Sequence, residues 1–64
     1  MDYETKQAIL NSLTTDFTLG LRQNNPYILA CALGQAKALM IANPDDKIAE
    51  RIYHLVTDAM EDLM

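Results

Sequence analysis

Two Asn-Pro pairs, Asn25-Pro26 and Asn43-Pro44, cut this chain into three stretches of helical length. Asn is a favoured helix N-cap. Pro suits the first helical position, because the N–H it lacks has no partner there. The residue before a Pro is also driven out of helical geometry. Each pair therefore ends one element and begins the next. The expected segments are about Tyr3–Arg22, Pro26–Ala42 and Pro44–Leu63. Asp45 and Asp46 follow the second pair, where carboxylates favour a helix N-terminus.

Hydrophobic spacing agrees with this division. In the third segment Ile48, Ile52, Leu55, Ala59 and Leu63 recur at intervals of 4, 3, 4 and 4 residues, a single helical stripe. Ile9, Leu10, Leu13, Phe17 and Leu21 form a similar stripe in the first. Thr14, Thr15, Thr18 and Gly20 are poor helix formers, so the first helix has a possible break near Thr14-Thr15, with Thr15 capping a second piece. Nothing alternates with the period of a strand. The sequence predicts an all-α fold over residues 1–64, one helical domain. Its architecture is a small antiparallel three-helix bundle, up-down-up, or four helices if the first one breaks.

The middle segment is the informative one. On a helical wheel Leu29, Leu33, Ala36 and Met40 share one face, and Ile28, Ala32 and Leu39 lie roughly a right angle away. Two neighbouring helices would use those faces. The remaining arc, Tyr27, Ala30, Cys31, Gly34, Ala38 and Ile41, is also apolar and mostly small. A helix apolar all round is normally buried all round, and three helices cannot cover every side of this one. The row Ala30-xxx-Gly34-xxx-Ala38 allows close approach, to Gly20 of the first helix or to a symmetry mate. In the third segment Ala49, Tyr53, Val56, Met60 and Met64 widen the apolar arc to about half the circumference.

A chain of 64 residues buries only about 60% of what its unfolded form exposes. Surplus apolar surface on so small a domain points to protein–protein contact, either a homodimer or docking on another protein. The expected partner-binding residues are Tyr53, Val56, Met60 and Met64 on the third helix and Tyr27, Gly34 and Ile41 on the second. Met side chains repack readily around a partner. Glu50, Asp58, Glu61 and Asp62 form an expected acidic rim.

Charge and composition exclude other classes. Nine acids against five bases give a net charge of -4, which argues against direct nucleic-acid binding through phosphates. The acids of the third helix suggest an alternative, an acidic mimic of nucleic acid that inhibits a nucleic-acid-binding enzyme, although Lys47 and Arg51 interrupt the row. The single Cys31 forms no internal disulfide, and the acidic N-terminus lacks the pattern of a signal peptide, so a cytoplasmic setting is expected. Pro26–Ala42 carries Gln35 and Lys37 and reads as a buried helix rather than a membrane span.

No catalytic or metal-binding residue is assigned, and no cofactor is expected. Cys31 reads as a packing residue. Glu50, His54 and Asp58 line one helix face, but they read as a solvated surface rather than a metal site. There is no phosphate loop, nucleophile elbow or zinc-ligand spacing. The expected function is a non-enzymatic interaction module, a small regulator, adaptor or inhibitor that docks through an apolar helix face.

Overall fold

A computed structural model of the chain describes residues 2–63. It contains helices α1 (Tyr3–Gln23), α2 (Pro26–Ala42) and α3 (Lys47–Leu63), with no strand among the described residues.

Helix α1 is capped by Asp2, whose carboxylate accepts the Thr5 N–H at 2.7 Å. That backbone hydrogen bond holds the Asp2 carboxyl below its ordinary range. The helix runs unbroken through Thr14-Thr15, so there is no fourth helix here. Thr15 does not cap a new piece: its hydroxyl donates back to the Asn11 carbonyl at 3.0 Å, which satisfies it inside a helix. The chain leaves α1 through Asn24, at φ 49° and ψ 45°. Asn is one of the few side chains that tolerate this left-handed conformation. The Asn25 N–H then closes the end of the helix on the Gly20 carbonyl at 2.9 Å.

Helix α2 starts as the Asn25-Pro26 pair requires. The Asn25 side chain accepts from the N–H of Tyr27 at 2.9 Å and of Ile28 at 3.4 Å, and Pro26 takes the first helical position. The second pair behaves differently. The Asn43 amide donates to the Leu39 carbonyl at 2.9 Å, closing α2 instead of capping α3. Pro44 and Asp45 form a turn, closed by the Asp46 N–H on the Asn43 carbonyl at 3.0 Å. The cap of α3 is Asp46, which accepts from Ile48 N–H at 2.9 Å and Ala49 N–H at 3.3 Å. The helix thus begins at Lys47, not Pro44. Asp46 also accepts the Lys6 ammonium, which ties the start of α3 to the start of α1. The Lys6 interaction, then the Ala49 N–H, holds the Asp46 carboxyl below its ordinary range.

Helix α2 lies between the other two, and α1 and α3 hardly meet. Asp16 of α1 accepts from the Gln35 amide of α2 at 2.7 Å. Leu13, Leu29, Ala32, Ala36, Leu39, Ala49 and Val56 form the core. Small side chains, Ala32, Ala36 and Ala49, together with Gly20, let the helices approach closely. A Cβ on Gly20 would stand 2.8 Å from Leu29 Cδ2, so any side chain there would force Leu29 or the helices to shift. Ile9, Leu10, Ile52 and Tyr53 pack around the core.

The roll of α3 departs from the expected stripe. Ile48 and Leu55, expected inside, are 67% and 54% exposed. Ala49 and Val56 are buried in their place, and Ile52, Ala59 and Leu63 are half-buried. The apolar arc of α3 is wide enough to be buried through either edge. Ala49 presents only a methyl group, so this roll brings α3 closer to Ala36 and Leu39 of α2 than Ile48 would permit.

Candidate docking surface

The outward side of α2, the helix between the other two, is left without a neighbour. Tyr27 and Ile41, near its two ends, are 84% and 66% exposed. Ala30, Cys31, Gly34 and Ala38 stand exposed between them. These are the six residues of the arc that two neighbouring helices could not cover. The small row does not pack on Gly20, which sits under Leu29 on the opposite side of α2. A Cβ on Gly34 would meet nothing within 4 Å. Lys37 is the one charged residue of α2.

The α3 residues expected to bind a partner do not join this face as a unit. Val56 is 1% exposed and belongs to the interior; the roll of α3 turns it inward where the expected stripe would have left it free. Tyr53 is half-buried and packs on the core cluster of Leu13, Ala36, Leu39 and Ala49. Met60 is half-buried, and Met64 lies outside the described residues. Glu50, Asp58, Glu61 and Asp62 are all exposed. His54 lies 4.0 Å from Glu50 and edge-on to the Tyr53 ring, at 5.7 Å between centroids. Among the described residues no group of three His, Cys, Asp or Glu side chains converges as a metal-binding set.

A second apolar edge was not expected. Because α1 and α3 hardly meet, a shallow cleft of about 230 Å³ opens between them over Leu39. Tyr3 and Leu10 line one side, Ile48 and Ile52 the other, and the Lys6–Asp46 pair lies along its wall. Ile48 was expected in the core, yet Ala49, Tyr53, Val56 and Met60 recur at the same spacing as its own stripe. The breadth of the apolar arc on α3 was the available signal that the roll was open.

The chain matches no known protein family, and neither a curated protein nor a solved structure is similar to it. No helix among the described residues is long and apolar enough to cross a membrane.

Proposed function

We propose that this chain is a non-enzymatic interaction module that docks on protein through the outer face of α2. One observation carries the reading: a central helix with an uncovered apolar side, large residues at both ends and small ones between. Exposed Tyr27 and Ile41 are the anchors, since fully desolvated large side chains supply most of the energy of an interface. The exposed acids of α3 stand at the margin, where rim charges steer encounter and set specificity more than affinity. A reducing, cytoplasmic setting suits the exposed thiol of Cys31.

The acidic-mimic reading is less well supported. Lys47 and Arg51 stand exposed among the acids of α3. Asp46, part of the acidic run, is occupied by Lys6 and by the helix cap.

The test is capture of partners from the source lysate with the tagged full chain, at moderate and at high salt. Apolar docking predicts a stoichiometric protein that survives high salt and is lost with Tyr27→Ala combined with Ile41→Ala. Binding that vanishes at high salt and ignores those substitutions would refute it and favour the mimic.

A further inference from the structure

We propose that the Lys6–Asp46 pair is a strap that selects between two positions of α3. Strapped, α3 buries Ala49 and Val56 and leaves the cleft over Leu39 open. Released, α3 rolls so that Ile48 and Leu55 turn inward and Ile48 fills the cleft. This device is separate from the docking face of α2 and does not depend on it.

The first observation is that the buried edge of α3 is the smaller one. Ala49 and Val56 lie inside while Ile48 and Leu55 stand exposed. Burying the larger pair would remove more apolar area from water, so apolar burial alone favours the other edge. The two edges differ by one residue around the helix, a roll of up to about 100°. Ile52 lies between them and already packs on the core, so it serves either position.

The second is that the path of the roll is open. Helices α1 and α3 hardly meet. Ile48 lines the cleft between them, with Tyr3 and Leu10 across from it and Leu39 beneath. Rolling α3 inward carries the Ile48 side chain into that cleft. The turn at Pro44 and Asp45 precedes the helix, and element-terminal residues of this kind absorb such rotations.

The third concerns what holds α3 against α1. The Asp46 carboxylate accepts from the Lys6 ammonium and from the N–H groups of Ile48 and Ala49. Those two N–H groups belong to the first turn of α3 and move with it. Lys6 stands on α1 and does not. The Lys6 ammonium is therefore the donor that registers the roll, because turning α3 carries the carboxylate away from it. Both side chains of the pair are half-buried, where salt screens an ion pair less than at the open surface. Lys47 and Arg51 ride on α3 itself, so neither can hold it against α1. Packed helices switch between discrete arrangements rather than deforming continuously, so losing the strap gives a roll and not a gradual loosening.

Thiol reactivity of the full chain under native conditions tests this, in a Cys31→Ser background. Leu55→Cys and Val56→Cys report the two edges, and Ile48→Cys reports the exposed edge again without touching the core. With Lys6 in place, Leu55→Cys and Ile48→Cys react with Ellman's reagent more than about tenfold faster than Val56→Cys, because a buried thiol reacts only through local opening. Adding Lys6→Gln reverses that order while circular dichroism stays helical. Lys6→Arg keeps the charge and keeps the original order. Equal rates with Lys6 in place would overturn the burial on which the proposal stands. An order unchanged by Lys6→Gln overturns the strap. A faster Val56→Cys without slower Leu55→Cys and Ile48→Cys means that α3 loosens instead of rolling and overturns the second position, as does loss of helicity. Reversal by Lys6→Arg as well overturns charge as the cause.

Discussion

The two glycines of this chain carry opposite predictions for one substitution. Replacing either by Ala gains up to about 1 kcal/mol of helix propensity, because Gly loses more backbone freedom on folding. At Gly34 nothing lies within 4 Å of the added methyl. Gly34→Ala should therefore stabilise the monomer by about 0.5–1 kcal/mol. At Gly20 the methyl would stand 2.8 Å from Cγ and Cδ2 of Leu29 and 3.1 Å from the Leu29 backbone nitrogen. Leu29 is 0% exposed and has no solvent to yield into, so α1 and α2 must move apart. Overpacking of this kind costs about 1–3 kcal/mol, and meeting backbone places it toward the upper end. After the propensity gain, Gly20→Ala should lose about 1–2 kcal/mol.

The two variants then differ by about 1.5–3 kcal/mol, against a total near 3–10 kcal/mol for a chain of this size. For a small domain that separates their melting temperatures by about 10–20 °C, with the wild type between them. The assay is thermal and urea unfolding at a few micromolar chain, followed by circular dichroism at 222 nm. A Gly20→Ala chain as stable as the wild type would refute the close approach of α1 to α2. A Gly34→Ala chain less stable than the wild type, at the same dilution, would refute the open face.

Other parts of the fold make their own predictions. Leu29→Ala should cost about 3 kcal/mol through the cavity it leaves, enough to remove most of the cooperative transition. Val56→Ala should cost about 2 kcal/mol and Leu55→Ala less than about 0.5 kcal/mol; equal costs in urea melts would mean that α3 is rolled the other way. The Asp46 carboxyl is held low in the folded chain, chiefly by Lys6. Its contribution is therefore present above the ordinary carboxyl range and is lost as pH falls through the folded value. Asp46→Asn keeps the cap but not the charge, so its melting temperature should fall less than that of the wild type between about pH 5 and pH 2. Asp2 titrates in the same direction, so the variant keeps a residual slope. The exposed Cys31 thiol should react fully with Ellman's reagent in the native monomer; a requirement for denaturant would contradict its exposure.

The three-helix division was legible because Asn-Pro pairs act locally. Asn25 caps and Pro26 starts α2 with no help from the rest of the chain. The start of α3 was less legible, because three consecutive residues competed for it. Asn43 can cap forward or close backward, and it closes backward on Leu39. Asp46 then wins the cap, and Lys6, forty residues earlier, binds the same carboxylate. No local pattern displays a partner so distant. Thr15 misled for a related reason: its low propensity is real, but a hydroxyl bonded to the preceding turn makes it tolerable inside α1.

The roll of α3 was open in the sequence because propensity and spacing do not fix it. Ile48 with Leu55, and Ala49 with Val56, both recur at helical spacing on one wide apolar arc. Burying the larger pair removes more apolar area from water, while burying the smaller pair lets the helix close on Ala36 and Leu39. The fold takes the second course and leaves Ile48 and Leu55 outside. This moves the spare apolar surface of α3 away from Val56, where the sequence had placed it, to the cleft facing α1. The spare surface of α2 does not depend on that choice. Any roll of α1 or α3 still leaves a central helix with two neighbours, and the arc from Tyr27 to Ile41 lies opposite both. The α2 face is the same for either roll of α3, which is why Gly34 rather than Met60 is the residue to change first.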